Sequence, residues 1–138
     1  VGIIPCAVGA SYAVLVAEQL FVSGCELLIS ISSAGIIKTQ NANKQFALIT
    51  EAIRDEGTSY HYISADESST LSNKLISLLK GSNNLWFEAK SWTTDAPFRE
   101  TKSAIQEMKE QNVACVEMEA SALYAFGKAK NKGGLHFI

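Results

Sequence analysis

The sequence predicts a layered α/β domain with a mainly buried sheet, and three observations carry that prediction. Candidate strands and helices alternate along the chain. The candidate strands are continuous apolar runs, the pattern of strands covered on both faces, rather than apolar–polar alternations. The composition is that of a globular protein, 47% hydrophobic and 19% charged over 138 residues, a length that holds one core.

The elements follow in order. Residues 2–8 form a short apolar run ending at Gly9 and predict a strand and a turn. Residues 10–23 carry Ala13, Val14, Ala17, Leu20 and Phe21 at helical spacing. That apolar face is broad, so the helix is expected to be buried on more than one side, with Gly24 ending it. Residues 27–31 predict a buried strand that runs into Ser32, Ser33, Ala34 and Gly35. Residues 46–53 predict another, followed by a charged turn from Arg54 to Gly57 and a segment over 58–63. Residues 64–70 are polar and read as a loop, after which Leu71, Leu75, Leu78 and Leu79 give a helical period. Residues 85–89 predict a strand, 91–101 a polar loop containing Pro97, and 103–111 a short amphipathic helix with Ile105 and Met108 inward. Residues 113–116 predict a strand. A helix then starts at Glu117 or Glu119 and runs to Lys130, with Ala120, Leu123, Tyr124 and Gly127 on one face. Lys128, Lys130 and Lys132 near its C-terminus suit the helix dipole. Gly133 and Gly134 break it before a last strand over 135–138.

Charge and cysteine content narrow the function classes. The formal net charge is −2, so there is no overall basic field of the kind that draws nucleic acid. No apolar run reaches the about 18 residues that span a bilayer; the longest, 7–22, is interrupted by Ser11, Glu18 and Gln19. Cys6, Cys25 and Cys115 are odd in number and widely spaced, and read as free buried thiols in a reducing compartment. Two histidines and scattered cysteines offer no zinc ligand set. Ser33-Ala34-Gly35 fits the tail of a nucleophile elbow, but Ile31 stands where its first glycine belongs. The chain opens on Val1 without an initiator Met and ends inside an apolar run, which reads as a piece cut from a longer domain.

Four segments carry candidate chemistry. Ser30 to Gly35 follows a strand; its small residues and hydroxyls suit either a tight turn or the grip on an anion at a strand's carboxyl end. Glu117-Met118-Glu119-Ala120 sits where a strand passes into a helix. Its two carboxylates serve either the helix dipole or a vicinal diol such as that of ribose. Trp92 to Glu100 packs an aromatic, an acid and a base into a polar loop, and is either a binding loop or one held by Asp95. Asp55 to Tyr62 contains His61, the histidine set among polar groups, which is either structural or able to act near neutral pH.

Together these segments resemble the nucleoside phosphorylase family that holds purine nucleoside and uridine phosphorylases. The resembling stretches are Gly9-Ala10 before the helix with Ala17-Glu18-Gln19-Leu20, then Ile29 to Gly35, Asp55 to Tyr62, Thr93 to Phe98, and Val116 to Tyr124. Val116-Glu117-Met118-Glu119-Ala120 is the most specific of them. The resemblance implies a three-layer α/β fold, with a mixed, mostly buried central sheet flanked by helices. It also implies that residues 1–138 are the central part of one such domain, truncated at both ends and inactive alone. The implied reaction is phosphate-dependent cleavage of a nucleoside N-glycosidic bond to free base and ribose 1-phosphate.

Carried over position by position, Glu119 takes the ribose 2′- and 3′-hydroxyls, Met118 packs under the sugar and Glu117 lines the site. Ser33 meets phosphate, with Ser32 and Gly35 beside it. Phe98 lies over the base and Asp95 braces that loop. Many members carry an arginine where this chain has Ser30, so here phosphate falls to Arg54, to Arg99 or to a residue of the missing part of the domain, or water replaces it as acceptor. His61 is a further candidate contact. The resemblance implies no cofactor beyond inorganic phosphate as co-substrate, no metal, a homo-oligomer from dimer to hexamer, and a cytoplasmic location. The alternatives are a nucleosidase that uses water and a non-catalytic nucleoside-binding homologue.

Overall fold

The computed structural model describes residues 1–39, 44–79 and 85–138. Its elements are α1 (Ala10–Val22), β1 (Leu27–Ile31), β2 (Gly35–Ile36), β3 (Phe46–Asp55), β4 (Ser69–Thr70), α2 (Asn73–Leu79), β5 (Trp86–Thr94), α3 (Lys102–Glu110), β6 (Cys115–Glu117), α4 (Ala120–Lys130) and β7 (Gly133–Phe137). Two short 3-10 turns lie at Ser59–His61 and Pro97–Arg99.

The strands form one mixed sheet in the order β1-β7-β3-β5-β6-β2, with β4 paired to β3. β1 and β7 are parallel, as are β3, β5 and β6, while β7 against β3 and β2 against β6 are antiparallel. Helices cover both faces. α3 packs Met108, Ala104 and Ile105 against Trp92, Ile53 and Val116. α4 lies on the other face, where Ala120 and Tyr124 join Leu48, Ile49, Ala52 and Leu135. α1 packs on α4 through Ala10, Ala13, Val14 and Ala17 against Ala122, Leu123 and Phe126. The fold is therefore a three-layer α/β domain with a mixed central sheet. Burying each side chain of the Leu48 and Ile49 kind contributes about 1.5–3 kcal/mol.

Several expected boundaries move for identifiable reasons. Residues 2–8 form no strand: no strand among the described residues pairs with them, and Cys6 has φ 60, which breaks an extended run. β5 continues through Ser91, Trp92, Thr93 and Thr94, so the polar loop expected from 91 begins only after Thr94. The hydroxyls tolerated in this buried strand have partners across the sheet face, described below. β3 extends through Arg54 and Asp55, into what read as a charged turn. Gly133 and Gly134 open β7 instead of breaking the chain before it, because β1 pairs with them through Leu27 and Leu28. Ser69–Thr70 adds a two-residue strand inside the expected loop. The cysteines are free, but only Cys115 is buried; Cys25 is half-buried and Cys6 exposed. β1 is the edge of the sheet, and Ile29 and Ile31 on it are 55% and 71% exposed, where a strand covered on both faces was expected.

Candidate functional site

The site grows from the short link between β6 and α4. β6 ends at Glu117 and α4 begins at Ala120, with Glu119 as its N-cap residue. A helix start leaves N–H groups without intrahelical partners, and the preceding carboxylate takes them. Glu117 Oε2 accepts the N–H groups of Glu119 and Ala120, both at 2.7 Å. Its Oε1 accepts the Ser91 hydroxyl at 3.0 Å and the Thr93 hydroxyl at shorter range. Thr93 Oγ1 itself accepts the Ser121 N–H at 3.0 Å, which directs its proton onto Glu117. Two carboxylate oxygens have about four lone-pair positions, so Glu117 is saturated. It holds the β6–α4 link in shape.

Glu119 is held differently. It is 3% exposed, and its Oε1 accepts the Gly9 N–H at 2.6 Å. Gly9 caps α1 with φ 93, a conformation that glycine adopts without strain. The carboxylate thus rests on the positive N-terminal end of α1, where an anion is favoured. Burial pushes both carboxyls above the usual range; the hydroxyl and N–H donors pull Glu117 back down, and the Gly9 N–H does so for Glu119.

The third member is His136 on β7, 0% exposed. Its Nε2 lies 3.6 Å from Glu117 Oε2, too long for a hydrogen bond. Neither ring nitrogen has a hydrogen-bond partner among the described residues. Burial pushes its pKa down to about 4, so the ring is neutral at neutral pH. Sequence reading passed over this residue in favour of His61, which the structure leaves exposed on a 3-10 turn. The available signal was a lone histidine inside an apolar strand. Glu117, Glu119 and His136 offer ligand atoms within 4.8 Å of one another. With Glu117 saturated, only two of the three are free, fewer than the three protein ligands of a catalytic zinc site.

The remaining candidates are distributed around this cluster. Met118, between the two glutamates, is half-buried. Ser32, Ser33 and Gly35 are exposed beyond the end of β1, where the Ser32 N–H donates to Phe137 O at 3.0 Å. Ser30 pairs in register with His136, which sets this serine run beside the third member of the cluster. Asp95 does not hold its own loop: its Oδ2 accepts the Gly57 N–H at 2.9 Å and so joins the 95–99 loop to the turn after β3. Phe98 is fully exposed, and Arg99 beside it is exposed too.

Arg54 is not brought to the cluster. Its guanidinium donates to the Ser59 hydroxyl and to the carbonyls of Ile63, Ser64 and Glu67, and it stacks on Tyr60 at 4.2 Å. These donors pin the 59–67 segment to β3. Glu56, missed in the sequence, does related work: it is buried and accepts the N–H groups of Thr58 and Ser59 and the Ser121 hydroxyl.

The fold is a three-layer α/β domain with a buried carboxylate at a helix N-terminus and an exposed serine run at a strand end, the end at which open α/β sheets take ligands. The chain belongs to the phosphorylase superfamily, whose family model matches residues 1–131, and so to the nucleoside phosphorylase family that its sequence resembles. It is 31% identical over 117 residues to an uncharacterised protein of Acanthamoeba polyphaga mimivirus, covering 85% of this chain and 46% of that protein. Uridine phosphorylase from Vibrio fischeri superposes with a TM-score of 0.80 at 22% identity, over 94% of this chain and 56% of that one. AMP nucleosidase from Bacteroides thetaiotaomicron superposes with a TM-score of 0.78 at 21% identity, over 94% and 59%. The chain spans about half the length of each of these relatives. No helix among the described residues is long and apolar enough to cross a membrane.

Proposed function

We propose that the protein cleaves the N-glycosidic bond of a purine or pyrimidine nucleoside, with inorganic phosphate as acceptor. The observation that carries this reading is Glu119: a buried carboxylate, fixed by the Gly9 N–H and by the α1 dipole, with acceptor capacity left over. A ribose 2′,3′-diol supplies the two donors it lacks. Met118 packs under the sugar, Phe98 lies over the base, and Ser33 with Ser32 and Gly35 meets phosphate at the end of β1. Phosphate oxygen bonds to C1′ as the C1′–N bond breaks, and the electron pair leaves with the base, which ends with the proton that hydrogen phosphate gives up. The buried carboxylates face the positive charge that develops at the sugar, and aligning the two reactants lowers the barrier by up to roughly 7–11 kcal/mol. The reading includes no other cofactor, a homo-oligomeric assembly and a cytoplasmic location.

A second reading, hydrolysis, is favoured by one observation. Ser30 carries no charge, and Arg54 makes four hydrogen bonds inside the fold, which leaves exposed Arg99 as the better arginine candidate for phosphate among the described residues. A nucleoside panel assayed on the full-length protein with and without phosphate separates the two: phosphorolysis stops without phosphate, hydrolysis does not. Glu119→Ala is expected to lower kcat/KM on the order of 100-fold, since diol contacts tighten toward the transition state. Unchanged turnover in this variant overturns the site. Calorimetric nucleoside binding with no turnover under either acceptor selects a non-catalytic binding protein.

A further inference from the structure

Both nitrogens of the His136 ring are buried and without a partner among the described residues, although a neutral imidazole always carries one N–H. Leaving that group unmade is costly, and in a native fold such an orphan marks a role beyond packing. The ring stands among the ligand atoms of Glu117 and Glu119, all within 4.8 Å of one another. Glu117 has no lone pair to spare for it, because two hydroxyls and two backbone N–H groups already fill both oxygens. Glu119 does: its Oε1 carries the Gly9 N–H, and a ligand atom of its carboxylate lies within 4.8 Å of one on the ring.

We propose that His136 is a positioning residue for Glu119, its imidazole N–H joining the Gly9 N–H to aim the carboxylate at the ribose diol. The inference rests on the reading of Glu119 as the diol acceptor. The donors come from different elements: Gly9 caps α1, while His136 belongs to β7, where it pairs in register with Ser30. One carboxylate is thereby tied to two parts of the fold, and its remaining lone pairs point where the sugar lies. The ring touches neither substrate nor phosphate in this scheme.

The test compares a ribonucleoside with its 2′,3′-dideoxy analogue, which lacks the diol but keeps base and ring. Binding of both to the full-length protein is measured by calorimetry for the wild type, His136→Leu and His136→Gln. Leucine removes the donor and glutamine retains an N–H. His136→Leu is expected to weaken ribonucleoside binding roughly tenfold, the scale of one lost hydrogen bond, and to leave the dideoxy analogue unchanged. His136→Gln is expected to restore most of the loss. Equal weakening of both ligands, or no rescue by glutamine in a variant with wild-type circular dichroism, overturns the inference while the function stands. A wild type that does not prefer the ribonucleoside overturns the diol reading itself. A second readout is independent of ligand: in long-range proton–nitrogen spectra, His136 nitrogen shifts are expected to move in Glu119→Gln, and unmoved shifts count against the contact.

Discussion

At the residue scale the informative side chains are those whose burial exceeds their polarity. His136 lies in the interior with its pKa pushed down to about 4 by burial, against an ordinary value of 6.5. Between those values the unfolded chain binds a proton that the folded chain refuses, so stability rises with pH across this window. The ring's contribution is fully present above pH 6.5 and lost as pH falls toward 4, up to about 3 kcal/mol in all. The raised carboxyls of Glu117 and Glu119 act in the opposite sense, so the net profile is flatter than the ring's alone. The difference between wild type and His136→Leu isolates it: urea midpoints at pH 4.5 and pH 7 are expected to favour the wild type more at pH 7. A gap independent of pH would mean that the ring titrates normally.

At the scale of elements, the β6–α4 link shows what sequence can and cannot disclose. Val116-Glu117-Met118-Glu119-Ala120 stood out as a candidate, because two carboxylates at a strand-to-helix passage are not needed for packing. The division of labour between them was not readable. It depends on Ser91 and Thr93, which looked like loop residues until β5 paired with β6 and set Thr93 opposite Glu117. Hydroxyls disguise a strand when their partner lies on another strand. The same holds for Arg54, a free cation on paper that the 59–67 segment consumes through carbonyls no side-chain pattern announces. Glu117→Ala removes the acceptor of two hydroxyls and two helix N–H groups. It is expected to destabilise the protein by about 4 kcal/mol, read as a lowered denaturation midpoint. Glu117→Gln, which keeps one acceptor oxygen and presents an amide to the other donors, is expected to fall between. A midpoint within about 0.5 kcal/mol of wild type for the alanine variant would show that water replaces the carboxylate.

At the scale of the whole molecule, a layered α/β architecture was legible from alternation and apolar runs, its three layers from the family resemblance, and the covering of the sheet edge from neither. Apolarity reports what a residue prefers, not what neighbour it has. β1 reads as a core strand, yet Ile29 and Ile31 stand exposed on it at the end of the strand order. An apolar edge with unpaired backbone groups is a template for pairing with other chains. Ile29→Lys is expected to reduce concentration-dependent self-association of these 138 residues in light scattering; an unchanged profile would place the sticky surface elsewhere.

The hydrogen bond from Gly9 to Glu119 joins residues 110 positions apart in the chain. It closes a loop that contains nearly every other element, and closure on that scale comes late, after shorter-range contacts have offset the entropy. The carboxylate proposed to accept the diol is therefore expected to be placed late in folding and lost early when α1 frays. Ligand binding would then act backwards along the same bond and slow the hydrogen exchange of amides in the first turn of α1, far in sequence from any residue that touches the sugar.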